Sequence, residues 1–316
     1  MSYQLMAYHL INSSAGMESI EKYHRYLNKV LPSWLELDSN GSLEIKQSAL
    51  SAEKLSLYFE KSSIIPLLQN KELDSAVSNR LLSEKGAQKK AIDRLLLYLQ
   101  VYGFPGINLD LEGVKKQNES NFTAFVEEIT TALHQHNFDL YLCVPAKWEN
   151  NGDSSWSGAY NYLALGELVD KIIIMAYDYH WPGGPPGAIA PLNWVQDVID
   201  YAIINIPLEK IILGIGLYGY EWVINSEEPG RGLTYPQIKS LQFKYNTVIE
   251  WDQDSFSPYL RYQEGQQEHE IWFENVVSIK EKIKLVKSYQ LAGAAFWRLG
   301  QEDQRLWGII NEVIPL

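Results

Sequence analysis

Asn108, Asp110 and Glu112 alternate with Ile107, Leu109 and Leu111 in the run Gly106-Ile107-Asn108-Leu109-Asp110-Leu111-Glu112. Alternation with period two predicts a β-strand, so the three polar groups share one face and the aliphatic residues pack on the other. Two carboxylates that close repel, and like charge at short range raises a pKa. A carboxyl that keeps its proton near neutral pH suits general acid–base chemistry. On the residues alone, a solvated acid at a strand end accounts for Glu112 equally well. Asp110 is harder to place that way, because a mid-strand acid is seldom buried without a partner. Asn108 fits either a bond between neighbouring strands or a part in the chemistry. The three oxygen-bearing groups could instead hold Mg²⁺, although supporting acids at neighbouring strand ends are limited to Asp178.

Short apolar or β-branched runs recur along the chain at Gln4–Leu10, Lys29–Leu37, Ser63–Leu68, Gly106–Glu112, Leu140–Ala146, Lys171–Tyr177, Lys210–Tyr218 and Leu291–Arg298. Between most of them, apolar residues fall at helical spacing, as in Ala91-Ile92-Leu95-Leu96-Leu99, Phe122-Phe125-Val126-Ile129-Leu133 and Val195-Val198-Ile199-Ala202-Ile203. Strand and helix alternating eight times predicts an α/β chain built as a closed (β/α)8 TIM barrel, a single unit over residues 1–316. A doubly wound open sheet is the other solution, but it usually carries a Gly-rich phosphate turn after its first strand, and Tyr8-His9-Leu10-Ile11-Asn12 is no such turn. The rhythm breaks between the seventh and eighth runs. There Val248–Asp252, Tyr259–Gln263 and His269–Phe273 predict further strands, the last two joined as a hairpin at Glu264-Gly265-Gln266. Residues 220–275 therefore read as a small α+β insertion on the barrel rim.

In such barrels the reactive groups lie at the C-terminal ends of the strands. Strand four brings Glu112 to that rim with Asp110 and Asn108 behind it. Strand six ends Ile174-Met175-Ala176-Tyr177-Asp178-Tyr179, strand seven Gly214-Ile215-Gly216-Leu217-Tyr218-Gly219-Tyr220, and strand eight Ala295-Phe296-Trp297. Strands one and two add Tyr8 and Trp34. Acids ringed by aromatic side chains suit a carbohydrate site, although Tyr177, Trp297 and the other rings fit an apolar core as well. The 10 tryptophans agree with sugar stacking. A net charge of −12 argues against nucleic acid or an anionic membrane as partner. The one cysteine, Cys143, excludes an intrachain disulfide and lies in an apolar run as a buried thiol. His134, His136 and His180 form no metal-ligand pattern, so no metal or cofactor is expected. No run is apolar enough to span a membrane. No charged-then-apolar leader is read ahead of the first strand, and a secretion signal or wall-binding module outside these residues stays open.

The strand-four run resembles the signature of glycoside hydrolase family 18, the chitinase-type enzymes. The resemblance continues through Met175-Ala176-Tyr177-Asp178 and Trp297 and covers nearly the whole chain. Trp181-Pro182-Gly183-Gly184-Pro185-Pro186-Gly187, the stretch 214–222 and Glu270-Ile271-Trp272-Phe273-Glu274 are similar to the bacterial spore-cortex and cell-wall N-acetylglucosaminidase branch. The broad family pattern has acids where this chain has Pro105 and Asn108; Asn at the second place is familiar in the spore-wall branch.

The resemblance implies a retaining glycosidase acting beside N-acetylglucosamine in peptidoglycan, spore cortex or chitin, with the substrate's own 2-acetamido oxygen as nucleophile. Glu112 would be acid and then base, Asp110 would hold the acetamido N–H, and Tyr177 would hold the acetamido oxygen. Asp178 would bind a sugar hydroxyl, and Trp297 would form the floor beneath the cleaved sugar. Asn108, Met175, Tyr8, Trp34 and Tyr218 are further substrate-side candidates. A glycan is the expected partner, with the chain monomeric and located at the spore coat, cortex or cell wall. A catalytically silent glycan-binding protein on the same scaffold is the alternative; retention of Glu112 favours the enzyme.

Overall fold

The computed structural model describes residues 3–47, 49–149, 154 and 156–314. Its strands are β1 (Gln4–His9), β2 (Lys29–Leu37), β3 (Leu43–Ile45), β4 (Leu67–Asn70), β5 (Gly106–Asp110), β6 (Asp139–Pro145), β7 (Lys171–Met175), β8 (Ile211–Gly216), β9 (Tyr218–Val223), β10 (Arg231–Thr234), β11 (Glu250–Asp252), β12 (Ser257–Glu264), β13 (Gln267–Phe273) and β14 (Gly293–Trp297). One sheet runs β1-β14-β8-β7-β6-β5-β4-β2, and β1 also pairs with β2, so eight parallel strands close on themselves. The helices predicted from their spacing form at Lys85–Tyr102, Glu119–His134 and Leu192–Asn205. This is the (β/α)8 TIM barrel.

Alternation sorts the strand residues into two cores. Met6, Tyr8, Leu31, Ile65, Leu67, Tyr141, Cys143, Ile173, Ile212 and Ala295 pack together inside the barrel. Their neighbours Leu5, Ala7, Ile107, Leu109, Leu142 and Leu213 face the helices. Asn108 and Asp110, out of phase with Ile107 and Leu109, therefore point inward.

The third barrel strand differs from the predicted Ser63–Leu68. Lys61–Ser63 is a 3₁₀ turn, Ile64 makes only an isolated bridge to Val30, and regular pairing starts at Leu67. Pro66 accounts for the shift: it has no N–H to donate to the ladder, while its carbonyl accepts the Asn108 N–H at 2.9 Å. Strand seven also ends sooner than predicted. β8 stops at Gly216, and after Leu217 the chain enters a second sheet.

That second sheet, in the order β10-β9-β13-β12-β11, is antiparallel. It forms with the helix Tyr235–Lys244 the α+β insertion between the seventh and eighth barrel strands. Leu233, Ile238, Leu260, Tyr262, Ile271 and Phe273 make its core. The predicted hairpin forms with Glu264 paired to Gln267 across Gly265 and Gln266.

Candidate active site

The mouth of the barrel gathers most of the residues singled out from sequence. β5 ends at Asp110, and Glu112 lies two residues beyond it, still on the alternation that carried Asn108 and Asp110 inward. The chain is held there by side chains. Asn70 Oδ1 accepts the Glu112 N–H at 2.8 Å, Ser78 Oγ donates to the Glu112 carbonyl at 2.8 Å, and Tyr160 Oη donates to the Leu111 carbonyl at 2.6 Å. Gly113 then turns the backbone at φ +67°, where a Cβ would stand 2.7 Å from the Ser75 side chain.

Asp110 is 7% exposed and Glu112 half-buried, and among the described residues neither carboxyl has a hydrogen-bond or ion-pair partner. Burial pushes the Asp110 carboxyl well above the usual carboxylate range, and the Glu112 charge pushes it further. Glu112 is raised by burial and by the charge of Asp178. The two therefore titrate as one proton-holding unit. The sequence pointed to Asp110 as the charge acting on Glu112; the structure instead has Asp178, from another strand, acting on Glu112, and Glu112 acting on Asp110.

Asp178 stands just past β7, with much of the residue exposed but its carboxyl beneath two phenols. Tyr218 and Tyr220 both donate to its Oδ1, Tyr220 at 2.8 Å. These two bonds favour the ionised form, but desolvation outweighs them and the pKa rises. Asp178 takes φ +61°, a conformation that costs a non-glycine residue about 1–3 kcal/mol and is kept where surrounding contacts over-determine it.

Tyr177 is half-buried, and its hydroxyl is held far above pH 10 by burial and by the charges of Cys143, Asp110, Asp178 and Glu112. Its ring meets Tyr218 edge-on with centroids 6.3 Å apart. Bare backbone makes room for it: a Cβ at Gly214 would be 2.5 Å from the Ile174 carbonyl and 3.2 Å from Tyr177 Cε1. Met175 is half-buried against the interior cluster. Trp297, also half-buried, packs edge-on to Tyr8 with centroids 5.0 Å apart.

Tyr8 and Asn108 lie one layer deeper. Tyr8 Oη donates to Asn108 Oδ1 at 2.9 Å and stands 3.1 Å from Cys143 Sγ. Asn108 Nδ2 reaches the Tyr141 carbonyl at 3.3 Å and Cys143 Sγ at 3.3 Å. Asn108 is fully buried, so it supports the floor under Asp110.

Trp34 requires a correction. It is 0% exposed, belongs to the core under the helices and packs against Phe104 with centroids 5.7 Å apart. The ladder of β2 shifts register between Ser33 and Leu35, so alternation read along its sequence does not reveal which way the indole points.

Sequence reasoning missed Tyr220 as the second donor to Asp178. The alternation of Tyr218, Tyr220 and Trp222 along β9 was the available signal. It also missed the exposed rings of Trp148, Tyr179 and Trp181. Trp148 meets Tyr179 with centroids 6.3 Å apart.

The model of the glycosyl hydrolases family 18 matches residues 25–302. The cortical fragment-lytic enzyme of Bacillus subtilis (strain 168) is 29% identical over 253 residues, covering 79% of this chain and 59% of that protein, so the chain spans less than two thirds of it. The enzyme of the same name from Bacillus anthracis is 27% identical over 312 residues, 96% of this chain and 70% of its own length. Among solved structures, the Bacillus megaterium QM B1551 spore cortex-lytic enzyme SleL superposes with a TM-score of 0.90 at 25% identity, covering 99% of this chain and 74% of that one. A chitinase from Chromobacterium violaceum ATCC 12472 gives 0.91 at 25% identity, with both chains covered completely. With the family model spanning most of its length over a barrel of the same shape, the chain belongs to glycosyl hydrolases family 18.

Proposed function

We propose that this chain hydrolyses β-1,4 bonds beside N-acetylglucosamine in cell-wall or spore-cortex peptidoglycan, with chitin-like oligomers as the uncharged counterpart, and that it retains anomeric configuration by substrate-assisted attack. The observation that carries this reading is the pair Asp110 and Glu112, both held toward the protonated form at the barrel mouth with no cation among the described residues to neutralise them. Glu112, at the rim, protonates the leaving glycosidic oxygen; the carboxylate left behind then draws a proton from water. The 2-acetamido oxygen of the sugar attacks the anomeric carbon, the bond to the leaving oxygen breaks, and an oxazolinium ion carries the positive charge. Asp110, left ionised when the proton shared by the pair sits on Glu112, accepts the acetamido N–H and stabilises that cation. Tyr177, its phenol locked in the protonated state, donates to the acetamido oxygen and holds it in line. Asp178 takes a sugar hydroxyl in the setting of Tyr218 and Tyr220, and Trp297 lies under the sugar ring. Met175 adds an apolar wall. Tyr8 and Asn108 act from below, by fixing the floor. The exposed Trp148, Tyr179 and Trp181 offer further stacking faces to a long polymer. The similarity to cortical fragment-lytic enzymes supports a wall or cortex setting for the reaction.

The test is incubation with a chromogenic N-acetylglucosamine oligomer and with purified spore cortex, products being followed by mass spectrometry and the first anomer by NMR. Retained configuration and reducing ends at N-acetylglucosamine are expected. Binding without product from either substrate would favour a silent glycan-binding protein. Turnover is expected to survive a chelator; its loss would favour the Mg²⁺ reading of Asn108, Asp110 and Glu112.

A further inference from the structure

Beside the acid pair, a cavity of about 450 Å³ opens at the barrel mouth, with Asn12, Ser33, Glu36, Lys46, Gln69 and Arg298 among its lining residues. It adjoins the candidate active site on two sides. Gln69 lies across the β4–β5 ladder from Asp110, and Arg298 directly follows Trp297. Its charges are unevenly spent. Glu36 is the acid of this lining and is paired to Lys46. Arg298 is half-buried, and among the described residues its guanidinium makes no hydrogen bond, ion pair or ring contact. The charges acting on the carboxyls next door are Glu112 on Asp110 and Asp178 on Glu112, so Arg298 is not consumed in neutralising them. Its buried neighbour His9 is pushed down to about 4 by burial and by Arg298, so it adds no second charge at neutral pH.

A guanidinium partly withdrawn from water and left without a partner is costly, and its planar fork matches a carboxylate with two parallel hydrogen bonds. In a chain of net charge −12, a free cation one residue from the proposed sugar floor is out of keeping with its surroundings. We propose that Arg298 binds a carboxylate carried by the sugar unit next to the one over Trp297, so that the site selects an acidic amino-sugar polymer over uncharged poly-N-acetylglucosamine. This rests on the glycosidase reading above and sharpens its substrate. Muramic units of wall polymer carry such a group on a short 3-O-lactyl arm, either as the arm's own carboxylate or as that of an amino acid joined to it. Chitin has neither, and an arm closed into a lactam has lost the charge.

The experiment compares alternating N-acetylglucosamine–muramic tetrasaccharides whose arm is free lactyl, lactyl-alanine or lactam, the last also replacing the muramic 2-acetamido group, with chitotetraose. Turnover is measured on the wild type and on Arg298→Gln and Arg298→Lys. Binding is measured by calorimetry in a Glu112→Gln background, with and without Arg298→Gln. The wild type is expected to favour the charged arms, and Arg298→Gln to cut the ratio of kcat/KM on charged over uncharged oligomers by about 10- to 100-fold, the range of one charged hydrogen-bonded contact. Arg298→Lys should fall between, keeping charge but losing the fork. A higher ratio for free lactyl than for lactyl-alanine assigns the contact to the arm itself; the reverse assigns it to the added residue. An unchanged ratio in Arg298→Gln overturns the proposal. If the wild type cleaves none of the four, the glycosidase reading fails. Arg298 is then judged by calorimetry alone: a preference for charged arms that vanishes on substitution upholds it, and an absent or persisting preference overturns it.

Discussion

In the proposed reaction the proton on Glu112 is held by two causes of different reach: burial of its own carboxyl, and the negative charge of Asp178 arriving from another strand. The sign gives a pH profile. Activity needs protonated Glu112, so kcat should fall as pH rises through its raised pKa. In Asp178→Asn one raising influence is gone, and the basic limb of the profile should move to lower pH; a limb that stays put would remove Asp178 from the account. Glu112→Gln should lower kcat by at least about 10²- to 10⁴-fold, the usual contribution of a positioned acid, while glycan binding measured by calorimetry persists. Asp110 makes a further prediction, on stability. Its folded-state pKa lies above that of the unfolded chain, so its favourable contribution is complete below the ordinary carboxylate range and is lost as pH rises through the raised value. Asp110→Asn removes that penalty. It should raise Tm at pH 8 by about 2–4 °C, roughly the effect of 1 kcal/mol in a large domain, with the gain vanishing in acid, even as turnover collapses.

At the scale of elements, the structure hangs on a few polar joints between apolar layers. Glu274, just after β13, and Lys282, in the helix Val276–Ser288, are each 1% exposed and meet at 2.9 Å, with Ser278 Oγ donating to the same carboxylate at 2.6 Å. The pair fixes the chain where it leaves the insertion and returns to the barrel. Lys282→Met would strand a buried carboxylate and should cost about 3–5 kcal/mol in denaturant unfolding; Glu274→Leu with Lys282→Met should recover most of it. An equal loss in the double variant would mean that packing, rather than charge, holds the joint. Legibility divided along the same line. The amphipathic helices and the strand-four acids were readable because one face is polar and the other apolar. The direction of Trp34 was not, since the ladder of β2 shifts register between Ser33 and Leu35. The start of β4 was displaced by Pro66, whose missing N–H matters only once its neighbour strand is known. The alternation along β9 put Tyr220 on the face of Tyr218, but its hydrogen bond to Asp178 spans 42 positions, and that partner is not written in the local pattern.

For the whole molecule, the question is whether barrel and insertion fold together. The insertion's own core is six buried side chains, from Leu233 to Phe273, on a segment of fewer than sixty residues. Segments that small bury too little apolar surface to offset their chain entropy comfortably. What the insertion lacks internally, the barrel supplies. Leu217, the hinge between β8 and β9, gives its N–H to the Trp297 carbonyl at 2.7 Å; Leu192 donates to the Ser255 carbonyl at 2.9 Å; Gly230 donates to Pro182 at 2.8 Å; and Tyr235 donates to Gln301 at 2.8 Å. Tyr218 and Tyr220 close on Asp178 from the insertion's first strand, so part of the candidate site exists only when both sheets are in place. Heat or denaturant should therefore melt the two as one transition. Far-UV circular dichroism, dominated by barrel strands and helices, should coincide with the fluorescence of a variant whose retained tryptophans are those of the insertion, Trp222, Trp251 and Trp272. The segment 218–275 expressed alone should show no cooperative melt. Two separated transitions, or a folded excised segment, would make the insertion an independent unit, and the hold of its tyrosines on Asp178 would then depend on docking.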